Sequence, residues 1–360
     1  MAGFAQGFWQ GRRVFVTGHT GFKGSWLCAW LKLAGAEVVG YSLLPERAPN
    51  LFDDAGIGTG MSSVFGDVCD FKRLRDALVD AQPEFVFHLA AQPLVRRSYA
   101  APVETFSTNV LGTAHLLDAV RQTPFIRVVV VVTTDKCYEN REWFWGYRET
   151  DALGGRDPYS ASKACTELVT AAYRDSFFRE DRPIAVASVR AGNVIGGGDW
   201  SEDRVVPDLV RSILAGRPAT IRNPGAVRPW QHVLDPLGGY LRLAQRLSSE
   251  PELQGAYNFG PADAEATTVE QLARAFLNEV GRGELRVGDP AGSGAPHEAH
   301  WLRLDCSKAR TVLGWRPRLG TAQAVAVTAR WYAAYLRDPS TARATLYQQL
   351  AAHVSAEVDA

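Results

Sequence analysis

The sequence contains few cysteines, and none of them is spaced for a cross-link or a metal site. Its 360 residues include five cysteines, an odd number spread along the chain without a Cys-x-x-Cys pair. This usage disfavours both a disulfide framework and a zinc site, and it is typical of a reducing compartment. We therefore predict no bound metal and a cytoplasmic protein.

The sequence also lacks net charge and any long hydrophobic run. Its 39 basic residues balance 39 acidic ones, so the bulk charge favours neither nucleic acid nor an anionic membrane as a partner. No apolar stretch approaches the ~18 residues that cross a bilayer. The first residues carry neither the basic region nor the apolar core of a signal peptide. We expect no nucleic acid and no membrane as partners.

Short apolar runs alternate with helical patterns through about residue 190. Such alternation predicts an α/β fold of the doubly wound, Rossmann type, in which helices cover both faces of a parallel sheet. The predicted strands are 13–17, 37–41, 63–65, 85–89, 128–133 and 184–190. The predicted helices include 72–80, 108–121 and 159–179.

Beyond residue 190, glycine and proline punctuate shorter elements, and residues 289–296 are predicted to form a loop. A chain of 360 residues is also longer than one hydrophobic core usually supports. We predict a Rossmann domain over residues 1–190. Residues 191–360 are predicted to form mainly a smaller α/β substrate-binding domain, with some of its strands interleaved into the first.

A glycine-rich turn follows the first predicted strand. Gly18, Gly21 and Gly24 are spaced Gly-x-x-Gly-x-x-Gly and lead into a helical pattern. Glycines permit a tight turn and a close approach of the backbone to a pyrophosphate, and the helix N-terminus favours the anion. The turn, including Phe22, is therefore predicted to bind a dinucleotide.

The end of the second predicted strand leaves the choice of cofactor open. An NAD site usually carries Asp or Glu about 20 residues after the glycines, but residues 40–44 contain no carboxylate. Ser42 could bond the ribose without repelling a 2′-phosphate, and Arg47 could attract one. Asp67 either accepts a hydrogen bond from the adenine amino group or closes a turn at a strand end. Two apolar residues, Val68 and Ala90, complete the predicted cofactor contacts.

Tyr159 and Lys163 follow a strong helix start, since Asp157 is a good N-cap and Pro158 a good first helical residue. A spacing of four residues puts the phenol and the ammonium on one helix face. A nearby ammonium stabilises a phenolate and lowers the pKa of tyrosine. A surface pair is the alternative. Beside a dinucleotide site, the pair instead predicts proton exchange with a sugar hydroxyl during hydride transfer to a nicotinamide.

Polar residues follow the apolar strand predicted at 128–133. Thr134, Asp135 and Lys136 would lie at the carboxyl edge of the sheet, where ligands bind in open parallel sheets. These groups can respectively hydrogen-bond a substrate hydroxyl, protonate a leaving group and remove a carbon-bound proton. The alternative is a polar turn that contains an Asp–Lys ion pair.

Together these motifs resemble the extended short-chain dehydrogenase/reductases, and within that group the CDP-D-glucose 4,6-dehydratases. The pair Asp135-Lys136 and the run Arg228-Pro-Trp-Gln-His232 are the selective features, because the related dTDP-glucose dehydratases carry Asp-Glu instead of Asp-Lys. The glycine and Tyr-x-x-x-Lys motifs mark only the superfamily. The similar stretches are 14–27, 134–140, 142–149, 153–160, 190–200, 228–233 and 304–310.

The resemblance implies an NAD-dependent hydro-lyase that converts CDP-D-glucose to CDP-4-keto-6-deoxy-D-glucose, for deoxysugar and lipopolysaccharide synthesis. Tyr159, helped by Lys163 and Thr134, would take the 4-hydroxyl proton. Asp135 would protonate the leaving 6-hydroxyl group, and Lys136 stands where relatives have a glutamate base. For the substrate, the resemblance implies Arg228 and Arg204 at phosphates, Asn193 at a phosphate or sugar oxygen, and Ser98 at the sugar.

The resemblance further implies a homodimer in which two helices from each subunit, near 108–121 and 159–179, form a four-helix bundle. Candidate apolar positions could equally face the sheet; they are Leu116, Leu117, Val120, Leu168, Val169 and Ala172. Other dehydratases, epimerases or 4-ketoreductases acting on nucleotide sugars are the alternative functions. An epimerase or ketoreductase would keep Tyr159 and Lys163 but would not need Asp135 as an acid.

Overall fold

The computed structural model describes residues 7–178, 183–221, 223–262, 267–287 and 301–358. The predicted loop 289–296 and the last residue of the predicted helix 159–179 lie outside these ranges. The strands are β1 Arg13–Thr17, β2 Glu37–Ser42, β3 Ser62–Phe65, β4 Phe85–His88, β5 Val128–Val132, β6 Ala185–Ala191, β7 Val194–Ile195, β8 Ala219–Ile221, β9 Val227–Arg228, β10 Gln231–His232, β11 Gly255–Phe259, β12 Thr267–Thr268 and β13 Leu285–Val287.

The α-helices are α1 Phe22–Leu33, α2 Leu51–Asp54, α3 Phe71–Ala81, α4 Val95–Ala100, α5 Pro102–Phe106, α6 Gly112–Arg121, α7 Pro158–Phe177, α8 Val205–Leu214, α9 Leu234–Leu247, α10 Val269–Val280, α11 Ser307–Leu313, α12 Thr321–Arg337 and α13 Ala342–Val358. A π-helical turn spans Ser107–Leu111, and 3₁₀ turns span Asp135–Cys137, Pro251–Leu253 and Pro339–Thr341. Among the described helices, none is both long and apolar enough to cross a membrane.

The main sheet has seven parallel strands in the order β11-β6-β5-β4-β1-β2-β3. From β1 the order continues to β2 and β3 on one side. From β4 it continues to β5, β6 and β11 on the other side. The carboxyl ends of β1 and β4 therefore flank the crevice where ligands bind in doubly wound sheets. The predicted Rossmann-type fold is confirmed, and the six predicted strands match β1 to β6 to within about one residue at each end.

Two hydrophobic cores cover the two faces of this sheet. In β5, Val128, Val130 and Val132 belong to one core, whereas Val129 and Val131 belong to the other. Side chains of a strand point alternately to opposite faces, so an unbroken apolar run fits a strand covered on both sides. The chain after residue 190 adds β11 to the sheet beside β6 and forms three two-stranded sheets. The division of domains at residue 190 stays a prediction.

The two predicted functional helices differ in how well the sequence locates them. Asp157 accepts a hydrogen bond from the Ser160 amide at 2.9 Å, and Pro158 is the first residue of α7, as predicted. The predicted helix 108–121 instead begins within the π-helical turn before α6. Asn109 in that turn bonds the backbone of Gln92 and the hydroxyl of Ser162, so tertiary hydrogen bonds favour the wider turn.

The candidate dimer positions divide into two groups. Leu116, Leu117 and Val120 are fully buried against the sheet, so of the two alternatives these residues face the sheet. Leu168 is 59% exposed, and Ala172 is also exposed. Val169 is partly buried against the core.

The turn between β1 and α1 is closely packed. Gly18 has a φ of +73°, a left-handed conformation that favours glycine. A Cβ atom added to Gly24 would lie 2.0 Å from the Gly18 carbonyl oxygen. Because that neighbour is backbone, the helix could not accept the methyl group without shifting away from the turn.

We predict that Gly24→Ala destabilises the protein by about 1–3 kcal/mol, the usual cost of overpacking, despite the better helix propensity of alanine. The change would be measured from the urea midpoint of unfolding. Gly225→Ala is the control, because a Cβ there meets nothing within 4 Å. A Gly24→Ala midpoint equal to that of the control would contradict the packing argument.

Candidate active site

A large cleft opens at the carboxyl edge of the sheet, with a volume of about 1320 Å³. Its walls come from the glycine turn, from the residues after β2 to β6, and from the first turns of α7 and α8. The cleft is lined by every predicted site residue except Ser98: Gly18, Gly21, Phe22, Gly24, Ser42, Asp67, Val68, Ala90, Thr134, Asp135, Lys136, Tyr159, Lys163, Asn193, Arg204 and Arg228. One cavity thus brings the predicted cofactor, catalytic and substrate residues together.

The glycine turn fits a dinucleotide pyrophosphate. A Cβ on Gly18 would lie 2.7 Å from the backbone nitrogen of Ala90, so the turn passes close to the loop after β4. Gly21 is the N-cap of α1 and offers no side chain to satisfy the first amides of the helix. These amides and the positive end of the helix dipole remain directed toward the cleft, where they can bind an anion.

Ser42 lies at the end of β2, where a carboxylate would contact the adenosine ribose. Its hydroxyl group is 2.7 Å from that of Thr20, which also donates to the Leu43 carbonyl at 3.0 Å. Asp67 accepts a hydrogen bond from the Cys69 amide at 2.8 Å, which is the strand-end turn considered above. Asp67 also lines the cleft, and its contact with the adenine amino group stays a prediction.

Tyr159 is 8% exposed and lies in the first turn of α7. Burial raises the pKa of Tyr159 to about 12, although a hydrogen bond with Thr134 and the charge of Arg204 oppose the rise. Lys163 donates to the Val132 carbonyl at 3.2 Å, and burial lowers the pKa of Lys163 to about 8, against the opposing charge of Glu167. The expectation that Lys163 lowers the pKa of the tyrosine therefore fails in the protein alone, because desolvation dominates both groups.

Thr134, Asp135 and Lys136 lie where β5 ends in a 3₁₀ turn. The Thr134 hydroxyl donates to Oδ1 of Asp135 at 3.0 Å and accepts from the Lys136 amide at 3.3 Å. Asp135 is 3% exposed, and its Oδ2 has no hydrogen-bond partner among the described residues. Burial raises the pKa of Asp135, while Lys136 and Thr134 oppose the rise.

This arrangement differs from the alternative of a turn closed by an ion pair. Among the described residues, no Asp135–Lys136 contact falls within ion-pair distance. A buried carboxyl group whose pKa is raised holds its proton at higher pH and can donate it through a free oxygen atom. The geometry therefore suits Asp135 as a proton donor in the cleft.

Two arginines and an asparagine line the wall that the chain forms after β6. Arg204 pairs with Asp199 at 2.9 Å, and although burial lowers the pKa of Arg204, this pair leaves it raised overall. Arg228 is 9% exposed and donates to the Val227 carbonyl at 2.9 Å. Asn193 accepts the Gln231 amide through its backbone oxygen, which leaves its side chain in the cleft wall. Guanidinium forks of this kind suit a diphosphate.

Ser98 requires a correction, because it does not line the cleft. It is fully buried, and its hydroxyl donates to the Val95 carbonyl at 2.6 Å and accepts from the Tyr159 amide at 3.1 Å. Ser98 therefore satisfies one of the open amides in the first turn of α7. It helps to position Tyr159 and is not available to a sugar.

Two charged residues of the site were not identified from the sequence. Lys23, inside the glycine turn, lines the cleft, and burial and the charge of Arg204 lower its pKa to about 8. Glu167 lies one helical turn beyond Lys163 and raises the pKa of that lysine. The sequence did carry a signal for each of them. Lys23 stands among the glycines of the turn, and Glu167 continues the four-residue spacing of Tyr159 and Lys163.

Comparison with known proteins agrees with this geometry. A model of the family described as GDP-mannose 4,6 dehydratase matches residues 15–328. CDP-glucose 4,6-dehydratase of Salmonella typhimurium is 52% identical over 335 residues, 92% of this chain and 93% of that protein. The solved structure of MoeE5 with UDP-glucuronic acid and NAD has a TM-score of 0.72 and 26% identity, covering 88% and 98% of the two chains.

A second solved structure supports the fold. UDP-glucose-4-epimerase of Stenotrophomonas maltophila, with NAD and formylated UDP-arabinopyranose bound, has a TM-score of 0.77 and 23% identity, covering 91% and 99% of the two chains. The matched residues include the glycine turn, the segment after β5 and the start of α7, and the resemblance inferred from the motifs is confirmed. The chain belongs to the GDP-mannose 4,6 dehydratase family.

Proposed function

We propose that the chain is an NAD-dependent hydro-lyase that converts CDP-D-glucose to CDP-4-keto-6-deoxy-D-glucose and water. The 52% identity with a CDP-glucose 4,6-dehydratase supports the substrate and the reaction. One observation carries the chemistry: the Thr134 hydroxyl donates to Oδ1 of buried Asp135, and both residues line the same cavity as the Tyr159 phenol. A buried acid and a phenol able to exchange a proton therefore meet in one cleft.

The residues of the cleft handle the protons of a three-step reaction. NAD, when bound, supplies the hydride acceptor for C4 and the hydride donor for C6, so no net oxidation results. Tyr159, beside Thr134, takes the proton of the 4-hydroxyl group. The 4-ketone acidifies the C5 hydrogen, which Lys136 removes as a base. Asp135 protonates the departing 6-hydroxyl group, which leaves as water, and a proton returns to C5 as the hydride returns to C6.

NAD is the better match to the cleft than NADP. At the end of β2, the Ser42 hydroxyl is paired with Thr20, and both can bond a ribose. Arg47, the cation that could attract a 2′-phosphate, forms an ion pair with Glu202. A 2′-phosphate would have to compete for this arginine, whereas an unmodified ribose would not.

The substrate wall would hold the nucleotide part of the sugar. Arg228 and Arg204 bind the diphosphate, and Asn193 bonds a phosphate or sugar oxygen. Residues 191–360 thus supply most of the substrate site and residues 1–190 the cofactor site. The five unpaired cysteines support a cytoplasmic location. The product is a deoxysugar precursor suited to lipopolysaccharide synthesis.

Epimerases and 4-ketoreductases of nucleotide sugars are the competing functions. They share the phenol, the lysine and the glycine turn, but their reactions expel no hydroxyl group. A buried Asp135 with a raised pKa and an open oxygen atom would have no task in them. The acid therefore favours the dehydratase.

Incubation with CDP-D-glucose and catalytic NAD tests the proposed function. We expect a 4-keto product that absorbs in the near ultraviolet in alkali, without net accumulation of NADH. UDP-glucose and dTDP-glucose serve as competing substrates. Stoichiometric consumption of NADPH would instead indicate a ketoreductase, and a 4-epimer that keeps its 6-hydroxyl group would indicate an epimerase.

We predict that Asp135→Asn retains C4 oxidation but loses dehydration by about 100-fold or more, because an amide cannot supply the proton. A single-turnover transient of NADH absorbance would report oxidation, and the alkaline absorbance would report product. The acid form of Asp135 is lost as the pH rises through its raised pKa. The rate of dehydration by the wild type should therefore fall as the pH is raised through that range. Full turnover by the variant would assign the acid role elsewhere.

Lys136→Met tests the base, since it removes the amine and keeps most of the side-chain bulk. C4 oxidation should continue, whereas exchange of the C5 hydrogen with deuterated solvent, followed by mass spectrometry, should fall at least about 100-fold. Exchange at the wild-type rate would show that another group removes the C5 proton. Lys72→Met, on the exposed side of α3, is the control for loss of a lysine.

We also propose a homodimer built on α5, the π-helical turn and α7. These elements contact one another and expose apolar side chains that would be covered by the same face of a second subunit. Leu168 is 59% exposed and Leu111 is 49% exposed. Val103 and Phe106 on α5 are 78% and 37% exposed.

Light scattering at micromolar concentration should give twice the mass of the chain. Leu168→Glu should shift the protein to a monomer, because it would bury a charge in the contact. Leu214→Glu is the matched control, as Leu214 on α8 is 57% exposed and lies outside this face. A monomeric wild type, or dimers of both variants, would reject this interface.

A further inference from the structure

A buried carboxylate lies behind the catalytic residues. Glu167 on α7 has 3% of its side chain exposed and accepts hydrogen bonds through both oxygen atoms. Its Oε1 accepts from the hydroxyl of Thr133, the residue that follows β5. Its Oε2 accepts from Ser188 at 2.6 Å and from Arg190 at 2.8 Å, both on β6.

Arg190 extends this contact to the other end of the catalytic segment, defined here as residues 134–137. The second terminal nitrogen of Arg190 donates to the Tyr138 hydroxyl at 2.7 Å, and the guanidinium lies 4.8 Å from the centre of the Tyr138 ring. Tyr138 in turn donates to Asn258 of β11 at 2.8 Å. Asn258 is anchored by the Tyr147 carbonyl, also at 2.8 Å.

The catalytic segment is therefore held at both ends by one ion pair. Thr133, immediately before it, binds Glu167 directly, and Tyr138, immediately after it, binds Glu167 through Arg190. We propose, on the basis of the proposed function, that Glu167 and Arg190 are positioning residues that set the place of Asp135 and Lys136 relative to the sugar. They touch no reacting atom and act on the elimination of water.

Physical chemistry favours such a role over simple stabilisation. A buried ion pair is often no more stabilising than an apolar replacement, since both charges lose their hydration, but it fixes geometry because each charge requires its partners. Here the partners come from β5, β6, α7 and the residues after the catalytic segment.

The test separates the two half-reactions in the full-length enzyme. Tyr138→Phe removes the hydroxyl that joins the end of the segment to Arg190. We expect C5 exchange and dehydration to fall about tenfold or more, as expected for loss of a hydrogen bond to a charged group. The single-turnover rate of C4 oxidation and the KM for CDP-D-glucose should stay within about twofold. A positioning role thus predicts a loss in kcat confined to elimination.

Tyr147→Phe is the matched control. Tyr147 stacks on Tyr138 at 5.1 Å between ring centres, but its hydroxyl bonds Asn140 and the Arg141 amide, outside the carboxylate network. It should leave both half-reactions unchanged. At the other end of the segment, Thr133→Val should reproduce the selective loss of elimination. Thr133→Ser, which keeps the hydroxyl, should restore it.

The outcomes distinguish this proposal from the proposed function. A wild type that does not dehydrate CDP-D-glucose would reject the function itself. An active wild type whose Tyr138→Phe and Thr133→Val variants keep elimination, or lose oxidation and elimination equally, would reject the positioning role alone. If one variant unfolds in a thermal melt, the other end of the segment still decides the question.

Discussion

The reacting edge of the sheet depends on two opposite charges that are both removed from water, Glu167 and Arg190. An unpaired ion in such a place costs several kcal/mol, so each charge must find its partners in the fold. Those partners belong to four different elements: Thr133 at the end of β5, Ser188 on β6, Tyr138 beyond the catalytic turn and, through it, Asn258 on β11. Strands that are distant in sequence are therefore brought into register at the same edge. The geometry of the cleft therefore depends on the need of Glu167 and Arg190 for hydrogen-bond partners.

Burial also decides the protonation of the groups in the cleft. Desolvation disfavours any charged form, so it raises the pKa of acids and lowers that of bases. Burial raises the pKa of Tyr159 to about 12 and lowers the pKa of both Lys23 and Lys163 to about 8. It also raises the pKa of Asp135. Burial thus favours the uncharged form of each of these groups. The charges of a bound diphosphate and dinucleotide would act on these shifted groups, and a positive nicotinamide would oppose the effect of burial on the pKa of Tyr159.

Local patterns predicted much of this architecture, and tertiary contacts account for what they missed. The strands β1 to β6 are apolar runs between clear turn signals, and α7 begins at an Asp-Pro cap, so short stretches of sequence define them. The strand β11 reads Gly-Ala-Tyr-Asn-Phe and pairs with β6 across more than 60 residues of chain, so no local signal marks it. From the sequence, the hydroxyl of Ser98 could equally face a sugar. Only the folded structure shows that it accepts a hydrogen bond from the Tyr159 amide in α7. Leu116, Leu117 and Val120 have the spacing of either a core or an interface, and packing against the sheet decides for the core.

Direct packing joins Asp135 to the chain segment that carries Arg228. The proposed proton donor and the proposed diphosphate contact are therefore structurally linked. Gly192 follows β6, and a Cβ there would lie 3.1 Å from Oδ2 of Asp135 and 2.7 Å from the ring of Pro229. Pro229 joins Arg228, the arginine assigned to the diphosphate, to the strand β10, which pairs with β7 just beyond Gly192. The backbone next to Arg228 thus packs against Gly192, which lies beside Asp135. A side chain at position 192 would therefore have to displace Pro229 from Asp135. The fold therefore fixes the position of the Arg228 backbone relative to Asp135.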